Sequence, residues 1–316
     1  MTLQDTIQRQ RGVIYSFLFG VTMTLQVNLT KLLLSNTHES CITFLRCLTF
    51  IFVIPFIEWE DANSLTFLDL LRYILCSVIG VMPYCFGAAS LVFMGVGDAT
   101  AIEFGLGLIF TGLIAHFALN ESLDLFSIII FVVDCAGVIL VVKPSYVFTA
   151  DIVTFDSREI GAALALTGAF SNAVWCVMLR KIVHRNTMFC FLVIFLHGMV
   201  GMIVTGVWTT FESAWEVPQT LWFTFGIFGY GFVNTLQIVV EFKAFEYTQA
   251  KNVALMGTLS IVISYAVQLT FFGENAELVS IAGVLIVIAC VLCSAFNLKD
   301  ICYNRCPQTI FEYTSL

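Results

Sequence analysis

The sequence predicts an all-α polytopic membrane protein, with about ten transmembrane helices built as two inverted five-helix repeats. Three observations lead there. The 316-residue chain is 59% hydrophobic and only 11% charged, with a mean hydropathy of +0.95. Its apolar residues fall in long blocks, each able to cross a hydrocarbon core of ~30 Å at a helical rise of ~1.5 Å per residue. Finally, GDATAIEFGLGLIFTGLIAHFALNE (Gly97–Glu121) aligns without a gap with AKNVALMGTLSIVISYAVQLTFFGE (Ala250–Glu274), at an offset of 153 residues, close to half the chain.

In order, the predicted spans are Gly12–Leu34, Glu39–Phe56, Asp69–Gly95, Asp98–Leu119, Asp124–Val142, Ile160–Lys181, Thr187–Thr210, Thr220–Glu246, Asn252–Phe272 and Leu278–Asn297. The first reads as a retained helix: it ends in LTKLLLSNTHES, without a small-residue cleavage pattern. The polar stretch KPSYVFTADIVTFDSRE, residues 143–159, separates a first repeat at 12–142 from a second at 160–297, and residues 298–316 form a tail. Five spans per repeat is an odd number, so the second repeat enters from the opposite face and the two are inverted.

Orientation follows from the basic residues. Arg9, Arg11, Arg72, Arg180, Lys181, Arg185, Lys299 and Arg305 fall on one side, against Lys143 and Arg158 on the other. The positive-inside rule places both termini in the cytosol.

Several function classes drop out. The net charge of −8 sits in short loops, so there is no basic surface for nucleic acid. No phosphate-cradling G-x-x-x-x-G-K-[ST], no H-E-x-x-H and no soluble domain able to hold an ATPase is present. The chain therefore reads as no enzyme, with no cofactor and no metal, and its transport is driven by a gradient or by exchange. Of the eleven cysteines, Cys47, Cys76, Cys85, Cys135, Cys176, Cys190, Cys290 and Cys293 lie in apolar spans, where a thiol packs as a small hydrophobe. Cys302 and Cys306 in the tail suit palmitoylation better than zinc, there being no nearby histidine.

RCLTFIFVIPF (Arg46–Phe56), GDATAIEF (Gly97–Phe104), and the repeat ends ESLDLFSIIIFVVDCAGVILVVKP and ENAELVSIAGVLIVIACVL resemble the two EamA units of the drug/metabolite transporter superfamily. Within it, the RC pair, the DAT triplet, the VILVVKP ending and VMLRK at Val177–Lys181 look similar to the G subgroup of the solute carrier 35 family. The resemblance runs from about Gly12 to Asn297 and implies movement of a small organic metabolite. A proline common midway along the family's fourth span is replaced by Gly107, with Ser260 at the matching place in the second repeat.

Polar residues that hydrocarbon would reject are the candidate site. Tyr230, Asn234, Gln237 and Glu241 recur at i, i+4, i+7 and i+11, on one face of the eighth span. They either bond neighbouring helices, which the glycines at 226, 229 and 231 let approach, or line a hydrated cavity. Thr24, Asn28 and Lys31 make a shorter stripe in the first span, though Lys31 also suits a headgroup contact. Arg46 lies seven residues, ~10 Å, inside its span, and Glu103 sits at comparable depth in the fourth. They either pair with each other to join helices, or Arg46 grips a substrate anion while Glu103 orients it. The substrate-binding set is thus Arg46, Glu103, Tyr230, Asn234, Gln237, Asn28 and Lys31. Asp98 reads as a helix cap, its repeat mate Lys251 as meeting headgroups or Glu246, and Glu121 and Glu274 as caps for the helix that follows each. Asp134, His116 and His197 are lone ionisable residues left outside the site.

The function this supports is a secondary transporter of a small polar, anionic organic metabolite working by alternating access. Alternatives are a nucleotide-sugar exchanger of the Golgi or endoplasmic reticulum, a non-transporting membrane adaptor and, least favoured, a channel. Partners are the small-molecule substrate and the lipid bilayer. A homodimer, and a cytosolic sorting or PDZ-type partner at Tyr313–Leu316, are candidates. The protein is multi-pass, with plasma membrane and endomembrane both open. Tags at residues 1 and 316 should be reached by antibody only after permeabilisation, and a tag at residue 150 should be shielded from the cytosol; access to the termini in intact cells would reverse the orientation.

Overall fold

A computed structural model describes residues 3–34, 37–60, 65–93, 96–121, 123–142, 155–185, 190–215, 221–271 and 277–295. Among them regular structure is entirely helical. The elements are α1 (Leu3–Leu34), α2 (Glu39–Thr49) continued by a 3₁₀ segment (Phe50–Phe56), α3 (Phe67–Phe93), α4 (Val96–Leu119), α5 (Leu125–Val142), α6 (Phe155–Arg185), α7 (Cys190–Phe211), α8 (Leu221–Tyr247), α9 (Ala250–Gly257), α10 (Leu259–Phe271) and α11 (Leu278–Ala295). Eight stretches are long and apolar enough to cross a membrane, with α9 and α10 counted as one, and α11 is a shorter apolar helix. Most of the predicted inter-repeat loop and all of the tail, including Cys302, Cys306 and Tyr313–Leu316, lie outside the described residues.

The outside of the bundle is dressed for lipid. Phe117, Ile203, Phe211, Phe232 and Leu285 are each more than 60% exposed, which only an apolar solvent tolerates at this density. Inside, small residues let helices approach. Ala165, Ala169 and Ala173, one helical face of α6, are at most 2% exposed, and α6 packs along both α3 and α4. Gly198 and Gly201 of α7 face Phe50 and Cys47 at the end of α2, and a Cβ on Gly231 of α8 would strike the Thr49 side chain. The principal contacts pair α1 with α8 and α3 with α6, α2 with α7, and α5 with α11.

Most buried hydroxyls bond their own helix. Ser16, Thr24, Ser77, Thr111, Ser171, Thr205 and Thr209 each donate to the carbonyl four residues back. Each such bond satisfies the hydroxyl without a neighbouring helix.

Two spans depart from regular α geometry. After Thr49, whose hydroxyl donates to the Arg46 carbonyl at 2.7 Å, the second span tightens to 3₁₀ and ends with Pro55 inside the last turn. The ninth predicted span breaks at Thr258. Its hydroxyl donates to the Leu255 carbonyl at 2.7 Å and lies 3.4 Å from Oδ1 of the fully buried Asp134. Thr24 of α1 then donates to the Ser260 carbonyl at 3.3 Å, just past the break. By contrast α4 runs unbroken through Gly107. So the two repeats differ near the position where the family resemblance leads one to expect a proline: the second breaks at Thr258, two residues before Ser260, and the first does not.

Among the described glycines, the closest approach to another helix's backbone joins α5 to α11. A Cβ on Gly283 would lie 2.7 Å from the Gly137 carbonyl oxygen and 2.8 Å from Leu140 Cβ. Gly283→Ala should therefore push these helices apart at a cost of about 1–3 kcal/mol, seen as a lower melting temperature in detergent. Gly229→Ala, where the added carbon would meet nothing within 4 Å, should not lower it; equal behaviour of the two variants would show that the crossing is looser than described.

Candidate functional site

A cavity of about 170 Å³ lies where α1, α2, α3, α4 and α8 converge. That is similar to the ~150 Å³ of engineered protein cavities that admit benzene, enough for a small organic group. Its wall holds Gln26 of α1; Glu39, Thr43 and Arg46 of α2; Pro83, Tyr84 and Gly87 of α3; Glu103 of α4; and Tyr230 of α8. Local structure builds that wall. Pro83 sits inside α3 and has no N–H to give the carbonyl of Ile79, so the helix is weakened just before Tyr84. Four residues on from Pro83, Gly87 leaves room for the Glu103 carboxylate, whose oxygens lie 3.6 and 3.8 Å from where a Cβ would be.

Arg46 dominates the cavity. It is 4% exposed, and its guanidinium carbon lies 3.5 Å from the centroid of the Tyr84 ring, a cation–π contact strengthened by desolvation. Nε and Nη2 have no hydrogen-bond partner. Glu103 and the buried Glu241 of α8 both lie within reach of its field, yet among the described residues no ion pair within 4 Å joins Arg46 to either. The two expected partners of a helix-joining bridge therefore face one cavity without touching. Beyond Tyr84, the ring of His197 sits among Phe50, Tyr84 and Trp175 at centroid distances of 5.5, 5.9 and 5.1 Å, with neither ring nitrogen hydrogen-bonded.

Of the seven residues singled out in the sequence, Arg46, Glu103 and Tyr230 are brought together here. Asn234 and Gln237 follow Tyr230 along α8 but are buried behind the wall, at 0% and 4% exposure. Both side-chain atoms of Asn234 and Oε1 of Gln237 lack partners, unlike the self-satisfied hydroxyls elsewhere. Asn28 stands apart from the wall; its amide donates to the Thr24 carbonyl of its own helix at 2.9 Å. The side chains of Lys31 and Asp98 lie outside the described residues. Sequence reasoning missed Gln26, Glu39, Thr43 and Tyr84. Gln26 lies between the Thr24 and Asn28 already flagged, and Tyr84 follows a mid-span proline, so both left a signal; Glu39 opens the second predicted span, where a charge at the membrane edge draws no notice.

At the other end of α4, about 27 Å along the helix from Glu103, a second polar cluster joins the two halves of the chain. Glu121 Oε1 accepts from the Ala250 backbone N–H at 3.3 Å and lies 3.6 Å from Arg180 Nε. Lys251 Nζ donates to Ser127 Oγ at 3.1 Å and lies 3.8 Å from Asp124. Two expectations are corrected. Glu121 caps α9, in the other repeat, rather than the helix that follows it, because α9 packs against α4. Lys251 is 6% exposed and pairs with Asp124, while Glu246 is taken by Lys243 at 2.8 Å. Glu274 lies outside the described residues. His116 is exposed and contacts the Glu121 carbonyl through Nδ1 at 2.8 Å. Glu121 lies between spans. Burial holds its carboxyl above the usual glutamate range, against the pull of the Ala250 N–H and of Arg180 and Lys251.

A lipid-dressed helical bundle with a polar-walled cavity where five of its helices meet is the architecture of a membrane transporter. The chain belongs to the EamA-like transporter family, whose model matches residues 10–143 and 159–296. Curated relatives agree. Solute carrier family 35 member G1 of Mus musculus is 26% identical over 87% of this chain and 74% of its own length. The Homo sapiens protein of that name is 28% identical over 62% of this chain, a match spanning 54% of the human protein. An S-adenosylmethionine uptake transporter of Rickettsia prowazekii is 26% identical over 91% of this chain and 93% of its own. A solved crystal structure, 12% identical, superposes with a TM-score of 0.72 over 91% of this chain and 98% of its own, a likeness of fold.

If the cavity is water-filled, single cysteines at Thr43 and Ala88, in a background cleared of native thiols, should react with a small water-soluble thiol reagent at least about tenfold faster than cysteines at Phe228 and Phe232 on the exposed face of α8. Asn234, behind the wall, should react more slowly than Thr43. Equal rates at Ala88 and Phe232 would mean that the cavity is dry.

Proposed function

We propose that this protein is a secondary transmembrane transporter of ten spans, α1 and α11 included, in two inverted five-helix repeats. Its cargo is a small polar organic metabolite carrying an anionic group, moved by alternating access. The observation that carries the reading is the pair of polar assemblies at opposite ends of α4. One is a cavity with Arg46 in its wall, stacked on Tyr84 and with Nε and Nη2 unbonded; the other is a set of ion pairs and hydrogen bonds tying Glu121, Asp124 and Ser127 of the first half to Arg180, Ala250 and Lys251 of the second. In this reading the second assembly is the closed gate of a state open toward the cavity, and the orientation expected from the basic residues makes that gate cytosolic.

Two further features support it. The pairing of α1 with α8 alongside α3 with α6 is the contact pattern that a pseudo-two-fold relation between halves produces. The relatives named for uptake of S-adenosylmethionine support an organic metabolite as cargo. The site residues of this reading are Arg46, Glu103 and Tyr230 in the wall, with Asn234 and Gln237 behind it as groups that substrate or water reaches when the halves rock. A buried guanidinium with Nε and Nη2 unbonded is costly, and an anion seated on its planar fork removes that cost.

Uptake of labelled organic compounds that carry an anionic group, with or without a second charge, into proteoliposomes at equal amounts of folded protein tests the assignment. Arg46→Leu combined with Glu103→Leu should fold yet stay inactive, and Arg46→Lys should lose at least about tenfold, because a point charge cannot reproduce a bidentate fork. Near-normal uptake by the double variant would remove Arg46 from the site and leave it a helix-joining charge.

A further inference from the structure

Resting on the transporter reading above, we infer that the cargo is a zwitterion: a small molecule whose anionic group seats on Arg46 and whose positively charged group, an ammonium or similar onium centre, seats against Glu103. The cavity wall is bipolar. Arg46 lies over Tyr84, and the Glu103 carboxylate lies against Gly87, one turn further along the same helix. A cation and an acid thus line one small cavity beside positions about one helical turn apart on the same helix, and do not pair with each other. Each lacks an ion-pair partner within 4 Å among the described residues.

The arrangement penalises a molecule with one sign of charge. A plain anion satisfies Arg46 but leaves Glu103 unmatched, and it also meets the carboxylate of Glu39 in the same wall and that of Glu241 close behind. A plain cation is held by the acids but is opposed by Arg46. A molecule bearing both charges a few bonds apart completes both pairs at once, so rejection of each single-charge analogue is built into the wall. Gly87 is part of the device. A Cβ there would sit in van der Waals contact with the Glu103 carboxylate, and a larger side chain would take up cavity space beside it.

The test uses the full chain in proteoliposomes incubated with an aqueous extract of small metabolites, with the accumulated compounds identified by mass spectrometry against protein-free vesicles. The expected result is accumulation of compounds that carry both an anionic and a cationic group. Accumulation of pure anions alone, such as dicarboxylates, sugar phosphates or nucleotide sugars, would overturn the zwitterion while leaving the transporter reading standing; accumulation of nothing would count against both. For the best accumulated compound, Glu103→Gln should cut uptake at least about tenfold. Uptake of the matching acid with the amine replaced by hydroxyl should stay the same or rise, and Glu103→Asp should restore much of the preference. An equal loss for both compounds would show that Glu103 does not read the positive charge. If Glu103→Gln fails to fold, the wild-type accumulation profile still decides between zwitterion and anion.

Discussion

Hydrocarbon offers no hydrogen bonds, and the rest of this structure follows from how the chain meets that constraint. Most buried hydroxyls turn back onto their own helix, so helices pack through apolar and small surfaces without needing polar neighbours. Against that background the partnerless atoms of Arg46, His197, Asn234 and Gln237 stand out. Only Arg46 among them lines the cavity where five helices meet, and further unpartnered atoms sit at Thr37, Glu121, Asp134 and Arg180; a buried polar group without a partner is costly, so each marks a place where packing alone does not explain the residue.

Close packing places them. Alanines along α6, glycines on α7 facing the end of α2, and Gly231 against Thr49 bring backbones near enough to fix each helix at a definite depth and rotation. The cavity survives where that packing is interrupted, beside Pro83 and Gly87. The mutual crossing of α5 and α11 at Gly137 and Gly283 is remote from the cavity wall and has the character of a scaffold.

The helical membrane class was legible because hydrophobic run length and the internal echo are properties of the chain itself. Arg46 and Glu103 were legible because charge inside an apolar block is anomalous wherever it points. Rotation about the helix axis was less so. The regular spacing of Tyr230, Asn234 and Gln237 identified a shared face, yet only Tyr230 reaches the cavity wall. Gln26, Thr43 and Tyr84 are ordinary residues made important by which helix they face, and Lys251 looked like a headgroup contact until the packing of α9 against α4 buried it beside Asp124. Tertiary placement decides such cases, and no period in the sequence encodes it.

The 3₁₀ segment at Phe50–Phe56 has a dimensional consequence. Eighteen residues of pure α-helix would reach ~27 Å, short of a ~30 Å hydrocarbon core. Drawing the last seven residues out at ~2.0 Å each lengthens the span to ~30 Å. The second helix thus matches the bilayer's thickness by stretching rather than by adding residues, and a thinner membrane would press it toward compression. Because Arg46 lies at the last turn before the stretched part, bilayer thickness becomes a mechanical input to the depth at which that cation is held.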